Sequence, residues 1–193
     1  TSLAYTFGES KDIANGVRNS MAANFSVNQA INANDPDLSW SNFDLRHRVV
    51  STLSYGHSFN EKHSTSINLV YTGRSGSPYT YIVAGDVNQD GSSRNDLFFV
   101  PENQGDIVLK DITNSNGDVV VSAAEQWQQL DAYIENDDYL SARRGKYAQR
   151  NGARTPWNHL LDLRLAHQLN LKGGRSFEFT LDVINVLNLF HYQ

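Results

Sequence analysis

The residues best placed to do chemistry are oxygen donors near the middle of the chain: Asp86, Asn88, Asp90 and Asp96. Asp86-x-Asn88-x-Asp90-Gly91 has the spacing of the first half of a calcium loop, where alternate side chains offer oxygen and glycine makes the sharp turn. Asp96 sits one position short of the usual twelfth ligand, and the carbonyl of Ser93 or Arg94 would complete a set. Two readings fit: a structural Ca2+ that pins a loop, or an Asx-rich turn that satisfies its own backbone. A second set is charged and evenly spaced, with Arg46, Arg48 and Arg164 against Asp44, Asp162, Glu178 and Asp182. Such a set pairs with itself and holds neighbouring structure, or touches a substrate directly. No catalytic constellation is present. His63, His159 and His191 have no Ser or Cys partner in a nucleophile motif, neither HExxH nor GxSxG occurs, and Asp137-Asp138 are adjacent in sequence, the wrong arrangement for an acid/base pair. The chain is therefore expected not to be an enzyme. Arg143-Arg144-Gly145-Lys146 reads as a solvated basic loop in preference to an anion site. Trp127, Tyr133 and Tyr139 read as a small loop core in preference to a sugar platform.

The charged set must be positioned by strands. From Leu161 apolar and polar residues alternate, with Leu161, Leu163, Leu165 and Leu169 on one side and Asp162, Arg164 and Gln168 on the other. The rhythm resumes with Phe177, Phe179, Leu181 and Val183 against Glu178, Thr180 and Asp182. Period two means strand, and Lys172-Gly173-Gly174 fits a three-residue hairpin loop with glycine where φ must be positive. If Leu171 and Arg175 flank that loop, Arg164 faces Asp182 and Leu165 faces Leu181. A slip of one residue would set charges against leucines, so the register is well specified.

Earlier strands repeat the pattern. Leu3, Tyr5 and Phe7 alternate from Thr1 to Gly8. Leu45, Val49, Leu53, Tyr55 and Phe59 share a face of a strand expected to begin at Phe43, and Ile67, Leu69 and Tyr71 share a face from Ser64 to Gly73. Between them, residues 10–42 read as a long polar loop with an Asp35-Pro36-Asp37 turn, and 60–62 as a short turn. Residues 74–156 are mixed. They open with a Ser75-Gly76-Ser77-Pro78 turn and carry short strands at Tyr79 to Val83 and Leu97 to Val100. Ser122 and Glu125 form a capping box ahead of Trp127, Leu130 and Ile134 at helical spacing, and a second helix is expected from Asp138 to Arg144, stopped by Gly145. Connections thus alternate long (10–42), short (60–62), long (74–156) and short (172–174).

Strict alternation of long and short connections between amphipathic strands marks outer-membrane barrels, with short periplasmic turns and long outer loops. Trp40, Phe43, Tyr71 and Trp157 would form one aromatic girdle, and Tyr55, Phe59 and Phe177 the other. His47, His57 and His167, on the apolar side, fall near strand ends, where a polar group facing lipid costs about 0–1 kcal/mol. The alternative is a soluble or surface-attached β-sandwich binding module with a calcium-stabilised loop. Composition sets further bounds. Charged residues make up 19% with a net charge of −5, so no basic surface argues for nucleic acid. Cysteine is absent, which excludes disulfides and thiolate metal sites. Mean hydropathy is −0.49, and no apolar run is long enough for a membrane-spanning helix. Thr1 opens directly into strand-like sequence, and the last strand runs into Asn188-Leu189-Phe190-His191-Tyr192-Gln193. Both ends therefore read as processed or cut.

Several stretches carry a resemblance: Phe43-Asp44-Leu45-Arg46-His47-Arg48, Gly73-Arg74-Ser75-Gly76-Ser77-Pro78-Tyr79-Thr80-Tyr81, Gly85-Asp86-Val87-Asn88-Gln89-Asp90-Gly91 with Arg94-Asn95-Asp96-Leu97, Arg150-Asn151-Gly152-Ala153-Arg154-Thr155-Pro156-Trp157, and Leu181-Asp182-Val183-Ile184-Asn185-Val186-Leu187-Asn188. In this order they resemble the C-terminal barrel of TonB-dependent outer-membrane receptors, in the Oar-like branch with a carboxypeptidase-regulatory-like domain, akin to SusC transporters. The resemblance implies an all-β, antiparallel transmembrane barrel of about 22 strands that imports a large nutrient with energy from TonB. It implies membrane lipid, the receptor's own plug and TonB as partners, with a surface lipoprotein or larger outer-membrane assembly as a further one. It also implies the outer membrane of a Gram-negative bacterium. The plug, the TonB box and the final membrane strand have no counterpart in residues 1–193, and about five strands cannot close such a barrel, so a portion of a longer receptor is expected.

Overall fold

The alternation seen from His47 onward produces long, regular strands. The computed structural model describes residues 1–14, 16 and 18–189. In chain order the strands are β1 (Ser2–Phe7), β2 (Lys11–Asp12), β3 (Ser39–Trp40), β4 (His47–Ser58), β5 (His63–Arg74), β6 (Pro78–Tyr79), β7 (Phe99–Val100), β8 (Ile112–Thr113), β9 (Val119–Val121), β10 (Lys146–Tyr147), β11 (Ala153–Arg154), β12 (Asn158–Asn170) and β13 (Ser176–Val183). The helices are α1 (Met21–Val27), α2 (Ala123–Glu135) and α3 (Asp138–Ser141). The chain divides into two units.

The first unit (Thr1–Ser10, Phe43–Ser77, Thr155–Gln193) is one antiparallel sheet in the order β1-β4-β5-β12-β13. β4 and β5 have 12 residues each and β12 has 13, against the roughly 9–11 that cross a bilayer when tilted. Register stacks side chains in rows across the strands. Leu53, Leu69, Leu163 and Val183 make one row, and Tyr55, Ile67, Leu165 and Leu181 the next. These aliphatic rows are open, with Leu53 47% and Leu181 57% exposed. Among the described residues the unit holds a single sheet, without the second layer over those rows that the sandwich alternative needs. The β12–β13 register has Arg164 opposite Asp182 and Leu165 opposite Leu181, as the hairpin spacing required, and Gly173 and Gly174 take φ of 82° and 73°.

Several boundaries differ from expectation, among them the short strands, which are Pro78–Tyr79 and Phe99–Val100 in place of Tyr79 to Val83 and Leu97 to Val100. Phe43 to Arg46 precede β4, because Asp44 is buried and accepts the Ser10 amide (2.7 Å), an irregular contact that delays the ladder until His47. β13 ends at Val183: Asn185 takes φ of 55° and its amide donates to Asp162 (2.9 Å), turning the chain into a 3-10 turn at Val186–Leu189. Residues 190–193 of the expected last strand lie outside the described residues. Finally, the 10–42 connection is not structureless. Ser20 caps α1, its side chain accepting the Ala23 amide (3.2 Å).

The second unit (Lys11–Asn42, Pro78–Arg154) is built from short pieces. β6 pairs with β11, β7 with β10, β2 with β3 and β8 with β9. The capping box predicted at Ser122 and Glu125 starts α2, and α3 ends at Ser141, a few residues before Gly145 (φ 73°). Val100, Ile134 and Leu140 form the core, with Tyr81, Phe98, Leu130 and Tyr139 against it. Tyr139 is thus core, as read, whereas Tyr133 is exposed.

The open aliphatic rows predict a one-sided response to charge. Leu165→Lys should cost about 2–4 kcal/mol of folded stability in lipid vesicles, while Thr180→Lys on the opposite face should cost about 1 kcal/mol or less. Urea unfolding of the vesicle-inserted full-length protein measures both.

Candidate functional site

The face opposite the aliphatic rows takes the alternate residues, polar at its middle, with Val50, Val70 and Leu160 nearer the long-connection end. At its middle, Ser54, Asn68, Arg164 and Asp182 share a row. Arg164 meets Asp182 through two bonds, Nε to Oδ1 at 2.7 Å and Nη2 to Oδ2 at 2.9 Å, the bidentate form a guanidinium makes with a carboxylate. One row on, Gly56, Ser66, Ala166 and Thr180 are all small, which opens space beside the pair. Glu178 stands opposite Gln168 at the next polar level.

The rest of the expected charged set is dispersed. Asp162 is taken by the Asn185 amide. Arg48, the second residue of β4, stands opposite Arg74 in register, like charge against like charge. Arg46 contacts Asp44 at 3.4 Å, both ahead of the strand. Arg164 and Asp182 form the strand-borne ion pair that the alternation implied.

A sheet with open aliphatic rows on one side and a charged row on the other suits hydrocarbon against one face and water against the other. In a comparison with known families, residues 1–193 match the one described as outer membrane beta barrel domain. The chain belongs to that family. No curated protein and no solved structure matches the chain. The outer membrane β-barrel domain lies in the outer membrane of a Gram-negative bacterium. No helix among the described residues is long and apolar enough to cross a membrane.

Ring-bearing side chains flank the aliphatic rows of this barrel domain at both ends. At the long-connection end, rings stack in sequence: Tyr5 on His47 (6.1 Å), His47 on Trp157 (5.9 Å), Trp157 on His159 (6.0 Å) and His159 on Tyr71 (6.1 Å). Tyr5 and Tyr71 hydroxyls bond the Nδ1 atoms of His47 and His159, at 2.8 and 2.7 Å. At the short-turn end, His57 meets Phe59 (4.8 Å) and His63 meets His167 (3.3 Å between ring nitrogens). The histidines thus sit among the amphipathic rings that favour an interface. Trp40, expected in the first girdle, instead belongs to the second unit, with the Lys11 ammonium 4.2 Å from its ring centroid.

The calcium-like loop is a nest of Asx turns. Asp86 accepts the Asp90 and Gly91 amides (2.9 and 3.0 Å), Asn88 the Asp90 amide (3.0 Å), and Asp90 the Ser92 amide (2.9 Å). Asp96 turns to the Val87 amide (2.6 Å). Among the described residues no three His, Cys, Asp or Glu side chains converge as a metal site. The loop is anchored by buried Asn95, whose Nδ2 donates to Asp90 (2.6 Å) and whose carbonyl takes the Ala30 amide (3.1 Å).

Two organising residues of the second unit were not singled out from sequence. Asn151, at φ 57°, donates its side chain to the Trp40 carbonyl and the Asn42 side chain (both 2.7 Å) and its amide to Thr80 (2.8 Å). The Asn151-Gly152 pair was its visible signal, since that dipeptide favours left-handed turns. Arg150 is 1% exposed and bonds the carboxylate and carbonyl of Asp12, the former at 2.7 Å. A single loop arginine carries no local signal of burial. Tyr81 is pushed far up by burial and by donating to Asp137 (2.6 Å), so it remains a phenol.

Asp90 supplies a pH prediction. Partial desolvation pushes its carboxyl up, but the Ser92 amide, then Asn95 and Asn88, together outweigh it, and the group lies below its ordinary value. Its contribution is present above the unfolded-state pKa and is lost as pH falls through the lower folded one. Protection of the Ser92 amide against hydrogen exchange, measured relative to its intrinsic rate, should fall as the solution is acidified through the carboxylate range, and Asp90→Asn should remove that acid step.

Proposed function

We propose that this barrel domain is the C-terminal barrel portion of a TonB-dependent receptor of the Oar-like, SusC-related branch, importing a large nutrient across the outer membrane. The observation that carries the reading is the disparity between its connections. The links at 60–62 and 172–174 are bare turns, while Lys11–Asn42 and Pro78–Arg154 fold into a unit with its own core. A structural pore needs no such unit, whereas a receptor needs a rigid capture surface. The motif resemblance from Phe43 to Asn188 supports the same branch.

On this reading the long connections face the cell exterior and hold the ligand. The polar face lines the lumen, where Arg164, Asp182 and Glu178 meet the plug, and TonB drives plug rearrangement. Backbone edges cannot stay unpaired in hydrocarbon, so β1 and β13 would each continue into further wall strands. The function is binding and passage, without bond chemistry. The nested 86–96 loop holds the capture unit in shape, with or without a bound Ca2+.

The absence of cysteine gives a clean test. Asn116→Cys in the full-length protein should react with a membrane-impermeant maleimide on intact cells, and Lys172→Cys only after the outer membrane is permeabilised. The opposite pattern rejects the orientation. Deleting TonB should leave the protein in the membrane and abolish the nutrient-dependent growth it supports; unchanged growth rejects energised import.

A further inference from the structure

The acidic balance of the second unit is reversed at one place. The unit carries fifteen Asp and Glu against nine Lys and Arg, yet a cavity of about 740 Å3 within it is lined by Arg143, Lys146 and Arg150, with Asp37 the one acid. That volume lies in the range of ligand pockets, roughly 300–1,000 Å3. Arg150 also lines a neighbouring cavity of about 160 Å3, where Lys11 joins it.

The three cations are placed by different means. Arg143 is held by Nε and Nη2, which donate to the Tyr147 carbonyl at 3.0 and 2.8 Å, leaving Nη1 to point elsewhere. The Lys146 ammonium has no hydrogen-bond or ion-pair partner among the described residues. Arg150 is buried, yet its one carboxylate partner, Asp12, remains 27% exposed, and its Nη1 is buried with no hydrogen-bond partner. A buried guanidinium so weakly compensated projects positive potential into the adjoining space. Arg144, the remaining member of the basic run, is committed to Asp131 (2.7 Å) and Glu135 (3.3 Å) and plays no part. The lining also has an aliphatic part, from Ile31, Leu38 and Leu97.

We propose that this cavity binds a carboxylate carried next to an apolar group, an amphipathic organic acid. Arg143 and Lys146 hold the carboxylate, Arg150 sets the potential behind them, and the aliphatic wall takes the apolar part. A neutral sugar would leave the cations uncompensated, and a bare inorganic anion would leave the aliphatic wall wet. The inference deepens the capture reading above and rests on it.

Isothermal titration on the full-length protein in detergent tests it, with N-acetyl-leucine, its neutral amide N-acetyl-leucinamide, and inorganic phosphate as probes. The acid should bind in the millimolar range or tighter, the amide at least tenfold more weakly, and raised salt should weaken the acid alone. Arg143→Gln and Lys146→Gln, both outside the core, should each lose several-fold and together more than tenfold, with hydrogen exchange of α2 unchanged. Equal binding of acid and amide, phosphate displacing the acid at equal concentration, no binding at millimolar acid, or an unaffected double variant each overturns the proposal. If Asn116→Cys labels only from the periplasm while acid binding persists, the capture reading fails and the site stands. If it labels from outside and no acid binds, the site fails and the capture reading stands.

Discussion

Hydrocarbon offers no partner to a backbone amide or carbonyl, and the rest of the wall follows from that constraint. Each strand must pair along its whole buried length with neighbours of matching length. The ladders of β4, β5 and β12 accordingly run eleven or twelve residue pairs without a shift in register, whereas the one irregularity among the pairings lies between β8 and β9 in the second unit. A fixed register then dictates side-chain placement: Leu53, Leu69, Leu163 and Val183 must share a level, and so must Ser54, Asn68, Arg164 and Asp182. The apolar rows do not create the sheet by burial. They make it compatible with lipid, while continuous backbone pairing makes it a sheet.

Where the chain leaves the wall that constraint lifts, and its character changes at once. Strands shrink to two or three residues, helices appear, and side-chain amides take over the satisfaction of backbone groups. Asn151, in a left-handed conformation two residues before β11, bonds two separate stretches, one at Trp40 and Asn42 and one at Thr80. Asp137 caps α3 with the oxygen that the Tyr139 and Leu140 amides share, and its other oxygen fixes the Tyr81 hydroxyl against the core. Such networks are specific because each buried polar atom needs a particular partner.

What could be read from sequence follows the same division. The wall was legible because period two, one aliphatic side and a short glycine turn determine register, which is why Arg164 could be set opposite Asp182 from spacing alone. The capping box at Ser122 was legible because its signal is local. Asp44 and Arg46 were misplaced onto the strand because their alternation continues past the point where a tertiary contact, Ser10 to Asp44, ends the ladder. The strand past Val183 failed for a similar reason, since Asn185 meets Asp162 from another strand. α1 was missed because Asn-, Ser- and Ala-rich sequence has no apolar stripe, leaving its Ser20 cap as the sole cue. Arg150's burial depends on Asp12, far away in sequence, and no pattern announces such a meeting.

The two kinds of charge also divide the labour. Arg164 and Asp182 both lie in reach of water, so their attraction is screened and their net charge is zero. The row they sit in presents hydrogen-bonding groups but little net field. The guanidinium of Arg150 lies away from water beside one partly solvated carboxylate, where screening is weak and the field persists. If the cavity beside Arg150 takes the acid proposed for it, selection by charge belongs to the folded connections and not to the wall.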